Sequence, residues 1–256
     1  MKNIFKDLEK KNIVITGGSG FLGSQITKAF IKTKSKVFVL DINKPKIKYN
    51  NVKFFYCDIT KENEVNNTLK KIIKSKKKID ILINNAASDY VPGKNNKKLH
   101  LENFKLSNWS KDLNVGLDGS FICTKIFGTH MVKNKGGVIL NISSDLGIIA
   151  PNQKIYKGLG FVKPVTYSVV KHGIIGLTKY TASYWADKNI RCNAIAPGGI
   201  SNKQSKKFLK KIKEIIPMNR LAKIDEYNNL ILFMCSKSSS YMTGSIIIAD
   251  GGRTLI

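Results

Sequence analysis

Tyr167 and Lys171 stand four residues apart in the stretch PVTYSVVKHGIIGLTKY, residues 164–180. On a helix, positions i and i+4 share one face, one above the other. A phenol and an ammonium would then share one small site. A free tyrosine titrates near ~10 and is a poor acid-base catalyst at neutral pH. Bringing it toward ~7 takes about 4 kcal/mol at ~1.36 kcal/mol per unit. Two positive charges in a partly dry site are of the right size to supply that. The pair is a candidate proton-transfer device. Alone, the same spacing is equally that of an amphipathic helix with a snorkelling lysine, so its meaning depends on the rest of the chain.

A second chemical feature lies near the start. The apolar run NIVIT, 12–16, leads directly into Gly17, Gly18, Ser19, Gly20, Phe21, Leu22 and Gly23. Glycines after a strand let the backbone turn tightly and approach a pyrophosphate, and the helix that follows offers free N–H groups and the positive end of its dipole. A plain strand-to-helix turn is the alternative. Asp41 ends the second apolar run, 24 residues beyond Gly17. A carboxylate there accepts hydrogen bonds from adenosine ribose hydroxyls and repels a 2′-phosphate, which favours NAD(H) over NADP(H). Lys44, close by, weakens that exclusion, so NADP(H) stays open. Asp58 and Ile59 follow the third run. Asp58 is placed either to meet the adenine amino group or to cap the next helix.

These residues need a frame, and the hydrophobic pattern supplies one. Strands are expected at 12–16, 36–41, 52–58, 79–85, 136–144, 189–197 and 245–250. Helices are expected at about 20–34, 60–77 (with Thr60 as N-cap), 112–134, 165–187 and 225–236. Short Val/Ile-rich strands alternating with helices indicate a seven-stranded parallel sheet covered on both faces. No repeat or Pro/Ser-rich linker divides the 256 residues, which are read as one α/β domain spanning 1–256. The less regular segments near 88–108, 148–164 and 200–220 fall after strand ends, where ligand-facing loops belong.

Composition narrows the setting. No apolar run is long enough for a membrane helix. The first apolar run ends in the glycine turn and reads as a strand, not a signal peptide, so a cytoplasmic protein is expected. Cys57, Cys123, Cys192 and Cys235 form no CxxC pair and read as buried free thiols. His100, His130 and His172 lack metal-ligand spacing, and no metal is expected. The formal charge of +27 comes from 44 Lys+Arg against 17 Asp+Glu. The lysines are spread over many segments, the densest at 74–78, 94–98 and 206–213. That spread fits a surface-wide bias with steering of an anionic small molecule better than a nucleic-acid stripe.

With these motifs in order, the chain resembles the short-chain dehydrogenase/reductase family over essentially its full length. The carrying pieces are TGGSGFLG (16–23), Asp41, CDIT (57–60), NNAA (84–87), LNVGLDGSF (113–121), VILNISSDLG (138–147), YSVVK (167–171), IRCNAIAPGGI (190–200) and YMTGSIIIADGG (241–252). The resemblance implies a doubly wound Rossmann-type fold and hydride transfer between a nicotinamide and a carbonyl or carbinol carbon. It makes Ser144, Tyr167 and Lys171 the catalytic set, with Asn114 as the asparagine of the proton relay. It assigns Gly17, Ser19, Gly20, Phe21, Leu22, Gly23, Asp41, Asp58, Ile59, Asn85, Ala86, Ala87, Tyr167, Lys171, Pro197, Gly198 and Ile200 to the cofactor. The long helices 112–134 and 165–187 resemble those that form dimer and tetramer interfaces in the family, so a homo-oligomer is expected.

Two departures mark this chain. Phe21 stands where the family's usual spacing has a glycine, so the three-residue spacing of Gly17, Gly20 and Gly23 is closer to longer sugar-nucleotide members. The Ser144–Tyr167 interval is about ten residues longer than is usual in the family, through IAPNQKIYKGLGFVKPV, beside the expected substrate pocket. With KPVTYS and YWADKNIR, it resembles oxidoreductases of bacterial surface-glycan and flagellin-modification pathways. The expected substrate is polar, sugar-like or nucleotide-linked. Lysines 206, 207, 210 and 211 are expected where they could meet a phosphate. The alternatives are a sugar-nucleotide epimerase or dehydratase with bound NAD, and a non-catalytic nucleotide-binding regulator.

Overall fold

A computed structural model describes residues 4–46, 49–74, 78–88 and 99–256. Residues 89–98, within the expected 88–108 loop, lie outside the described residues, as do Ser75, Lys76 and Lys77 of the 74–78 run and the whole 94–98 run. Seven parallel strands form one sheet in the order β3-β2-β1-β4-β5-β6-β7. They are β1 (Asn12–Thr16), β2 (Lys36–Asp41), β3 (Val52–Tyr56), β4 (Ile81–Asn84), β5 (Gly137–Ile142), β6 (Ile190–Pro197) and β7 (Ile246–Ala249). The order reverses between β1 and β4, which opens a crevice beyond their carboxyl ends.

Side-chain alternation builds the two faces of the sheet. Ile13 and Ile15 of β1 pack with Ile26 and Phe30 of α1 (Phe21–Lys32), while Val14 packs on the other face with Phe127 and Ile139. Phe30 is fully buried, so Phe30→Ala would cost about 3–5 kcal/mol. Helix α1 stops where Thr33 Oγ1 donates to the Phe30 carbonyl at 2.8 Å and left-handed Lys34 turns the chain into β2.

Helix α2 is Glu62–Ile73, with Lys61 at its N-cap instead of Thr60. Thr60 is diverted because its hydroxyl donates to Asp58 Oδ1 at 2.7 Å, so it closes a turn before the helix begins. The expected 112–134 helix begins earlier and is broken. Helix α3 (Leu106–Leu113) runs into a π turn at Asn114–Asp118, then α4 (Gly119–Lys133). Close packing accounts for the wide turn: a Cβ on Gly116 would stand 2.5 Å from Val170, and one on Gly119 2.6 Å from Ile59. Helix α5 spans Val165–Trp185, α6 Lys206–Lys213 and α7 Asn228–Cys235.

Candidate active site

The crevice at the strand ends is a cleft of about 620 Å³. Its adenosine end is built by the glycine turn. Gly17 has φ of +63°, and a Cβ there would stand 2.8 Å from Ala86 Cα, so only glycine fits. Asn85 Nδ2 donates to the Thr16 and Gly17 carbonyls at 3.0 and 3.1 Å, and Thr16 Oγ1 accepts from the Asn85 and Ala86 backbone N–H groups. The turn after β1 is thereby fastened to the loop after β4. Asn85 lines the cleft, but its carboxamide serves the turn.

Two observations show that this turn fits a dinucleotide phosphate. Helix α1 starts at Gly20 with no side-chain cap, leaving its first N–H groups to an outside acceptor. Ser19 Oγ is buried with no hydrogen-bond partner among the described residues. Asp41 lies at the rim, its Oδ2 accepting from Ser19 N at 3.0 Å and its Oδ1 from Asn43 N at 2.9 Å. These bonds orient the carboxylate where β2 ends. Lys44 is exposed and does not line the cleft, whereas Asn43 does. Burial works against the Asp58 charge, but hydrogen bonds from Thr60 and the Lys61 cation outweigh it and hold the carboxyl below the ordinary aspartate range. Ile59, Ala87, Pro197, Gly198 and Ile200 also line the cleft, with Gly20, Phe21, Leu22 and Gly23.

The chemical end is held by buried polar links. Asn84 of β4 donates to Asn141 Oδ1 at 2.8 Å, and Asn141 of β5 donates to Thr178 of α5 at 2.8 Å. Ser143 Oγ donates to the Lys171 carbonyl at 2.8 Å. Thr166 donates to buried Asp112 of α3 at 2.6 Å. Together these links fix α5 against β5, which is what places Ser144, Tyr167 and Lys171 on one cleft. Lys171 is 7% exposed and its Nζ donates to the Ile142 carbonyl at 2.8 Å. Its Nζ is 5.8 Å from the Tyr167 ring centroid, and Lys163 Nζ is 3.5 Å from it. A cation over a phenol ring is attracted to it and favours negative charge on its oxygen.

The structure does not bring the Asn114 side chain to the cleft wall. The π turn puts Val115 there instead. With its amide turned so that oxygen and nitrogen exchange places, Asn114 donates to Asp118 Oδ2 at 2.9 Å and to the Ser110 carbonyl at 3.1 Å.

The lengthened segment before Tyr167 forms the outer wall. Tyr156 packs edge-on to Phe161 at 5.4 Å and stacks on Phe208 of α6 at 5.7 Å between ring centroids. The Gln153 carboxamide pairs with both backbone groups of Lys163, at 2.9 and 3.1 Å, which sets Lys163 above Tyr167. Helix α6 overturns the expectation for its lysines. Phe208 and Ile212 face the cleft, Lys207 Nζ donates to the Gly158 carbonyl at 3.1 Å, and Lys211 Nζ donates to the Lys157 carbonyl at 2.6 Å. Lys206 and Lys210 are exposed and do not line the cleft. The amphipathic spacing of KKFLKKIK turns its apolar pair inward, so its lysines strap the neighbouring loop or meet solvent.

Asp145, Tyr156, Lys163 and Arg253 are among the lining residues that sequence reasoning did not single out. Ser144 Oγ donates to Asp145 Oδ1 at 2.7 Å, and Arg253 Nη1 donates to Asp145 Oδ2 at 2.7 Å. An acidic residue directly after NISS was the only available signal for this buried pair.

Comparison with known proteins agrees with this geometry. A family profile described as enoyl-(acyl carrier protein) reductase matches residues 19–254. The 3-oxoacyl-(acyl-carrier-protein) reductase of Thermotoga maritima is 31% identical, covering 97% of this chain and 99% of its own. Glucose 1-dehydrogenase 2 of Bacillus subtilis is 32% identical, covering 98% of each. A short-chain dehydrogenase from Leptospira borgpetersenii with bound NAD⁺ superposes with a TM-score of 0.89 at 30% identity, covering 99% of this chain and 96% of that one. The chain belongs to the short-chain dehydrogenase/reductase family. It is an NAD(P)-dependent oxidoreductase acting on CH–OH or C=O groups.

Proposed function

We propose that the protein is an NAD(H)-preferring reductase or dehydrogenase of a polar, sugar-like or nucleotide-sugar substrate in the cytoplasm, serving surface-glycan or flagellin modification. The observation that carries the cofactor preference is the Asp41 carboxylate, oriented by two backbone N–H groups at the adenosine rim. The polar substrate is supported by Ser144, Asp145, Lys163, Gln204 and Arg253 in the cleft wall, and by the likeness to a glucose dehydrogenase. The glycan or flagellin setting rests on the lengthened 148–164 segment, which supplies Tyr156, Phe161 and Lys163 to that wall.

The cofactor supplies or accepts the hydride. The residues of this chain bind, orient and move a proton. Ser19 and the α1 N-terminus would take the pyrophosphate, Asp41 the adenosine ribose, and Lys171 the nicotinamide ribose. Ser144 has one proton, and it rests on Asp145. Substrate oxygen competes for that proton, and turning it onto the oxygen fixes the reacting carbon. Asp145 keeps the N–H of Leu146 at 2.8 Å and Arg253 as partners, so it is not abandoned. Tyr167 then passes a proton to or from the same oxygen, under the positive charge of Lys163 and Lys171.

A homo-oligomer is supported by aromatic groups on the outer faces of α4 and α5. Phe121, Tyr180 and Tyr184 are exposed, and the two tyrosines stack at 5.6 Å. Tyr180→Glu should shift the solution mass toward monomer, read by light scattering.

The deciding experiment presents sugars, nucleotide sugars and an acetoacetyl thioester with NADH, NADPH and their oxidised forms, following reduced-nicotinamide absorbance. Turnover of a sugar or nucleotide sugar with net change in NADH supports the reading. Turnover of the thioester alone refutes it, and sugar conversion without net NADH change points to an epimerase.

A further inference from the structure

Arg253 is the most unusual group in the cleft wall. It sits in a short turn after β7, where Asp250 accepts from the N–H groups of Gly252 and Thr254 at 2.9 and 2.7 Å. That turn folds the arginine inward, and only 5% of it is exposed. Its Nη1 is committed to Asp145 at 2.7 Å, and Asp145 is 3% exposed. Its Nη2 is buried and has no acceptor among the described residues. A buried guanidinium N–H without a partner is costly, and the group cannot shed its charge. The wall of which it is part also contains Ser144 and Tyr156.

Charge narrows what would complete it. Among the described residues, away from Asp41 and Asp58 at the adenosine end, the cleft is lined by Lys163, Lys171, Lys203 and Arg253 against the carboxylate of Asp145. The excess is positive where the substrate must lie. Burial pushes the Tyr156 phenol up to about 12, with Arg253 drawing it down and Asp145 raising it, so Tyr156 is a neutral hydroxyl beside the pair. One unpartnered guanidinium nitrogen and one neutral hydroxyl match the two oxygens of a carboxylate. A phosphate dianion would bring more oxygens and more charge than an arginine already half satisfied by Asp145 can meet.

We propose that Arg253, clamped by Asp145, binds the carboxylate of a sugar-acid substrate through Nη2, while Ser144 and Tyr167 hold the reacting oxygen. This rests on the sugar-like reading above and specifies its class. Tyr156, Phe161 and Phe208 supply an apolar surface for the carbon skeleton.

The test uses the full-length protein saturated with NADH, following quenching of its fluorescence by ligand. The probes are D-gluconate, D-glucuronate and N-acetylneuraminate, with D-glucose and D-glucose 6-phosphate as neutral and phosphorylated counterparts. At least one acid should bind about ten- to a hundredfold more tightly than glucose, the effect of one charge-assisted hydrogen bond. Arg253→Met should abolish that preference while NADH affinity stays at the wild-type value. Because Arg253→Met leaves Asp145 unpaired, the double variant Asp145→Asn/Arg253→Met removes both charges and should lose the same preference in a folded protein. No acid binding better than glucose, or acid preference surviving in the double variant, overturns the assignment. So does tighter binding of the phosphate ester than of every acid. Turnover of neutral sugars with no acid preference would sink this inference and leave the sugar-like reading standing. Turnover of the acyl thioester alone would sink both.

Discussion

Asp41→Asn removes one charge from the cofactor cleft and almost nothing else. The amide keeps an oxygen to accept from Ser19 N, which now bonds Oδ2 at 3.0 Å. A 2′-phosphate of charge about −2 placed at about 5 Å would feel a repulsion of about 2 kcal/mol at water's dielectric constant and about 7 kcal/mol at an effective value of about 20. Asp41 is half-buried at the rim, so the lower part of that range applies, about 2–4 kcal/mol. The wild-type protein should therefore bind NADH about 30- to 1000-fold more tightly than NADPH. Asp41→Asn should bring the ratio to within about tenfold. The assay is fluorescence titration of each reduced cofactor, which needs no substrate. Because the Debye length falls from about 8 Å at physiological salt to about 3 Å at 1 M, high salt should shrink the wild-type ratio. Equal affinity for the two cofactors in the wild type, or an unchanged ratio in Asp41→Asn, would refute the reasoning.

Tyr167→Phe keeps the ring beneath Lys163 and removes the proton carrier. Turnover should fall about 10²- to 10⁴-fold with NADH affinity unchanged, and near-normal turnover would remove Tyr167 from the mechanism. Gly23→Ala drives a methyl group against the Gly17 carbonyl and to 2.8 Å from Asn85 Nδ2. Calorimetry should show about 1–3 kcal/mol lost and titration should show weaker NADH binding, whereas wild-type values would contradict the packing of the turn. Burial pushes Cys192 and Cys235 up to about 12 and raises Cys57 and Cys123 as well. At pH about 8 the thiolate fraction of a thiol of pKa about 12 is about 10⁻⁴. A thiol reagent should then react at once only after denaturation, with all four cysteines.

What was legible in the sequence was local. β1 and β2 fall where NIVIT and KVFVLD spell them, because a buried parallel strand is a short apolar run bounded by polar or glycine residues. The glycine turn and the Tyr167–Lys171 pair were legible for the same reason. Each is a spacing whose meaning needs only the element it sits on. Thr60 went differently because its role is decided by competition. Thr60 had Asp58 as a rival to the helix N-terminus. Asn114 lies in a π turn imposed by the packing of Gly116 on Val170 and Gly119 on Ile59, and no pattern in one helix announces that.

The acidic and basic residues of the substrate wall show the same limit more sharply. Asp145 and Arg253 are 108 residues apart in the chain, and they meet only because β5 and β7 end on the same side of one parallel sheet. From sequence, Arg253 is one cation among 44, and the dense lysine run 206–213 is the more conspicuous. The fold reverses that weighting. Amphipathic packing sends the run's lysines to solvent or to loop carbonyls, while a single arginine is drawn in by one carboxylate. Charge density along a chain therefore says little about charge at a site. Among the described residues, the positive end of this cleft is set by Lys171 of α5, Lys163 of the loop before it, Lys203 of the loop after β6 and Arg253 of the turn after β7.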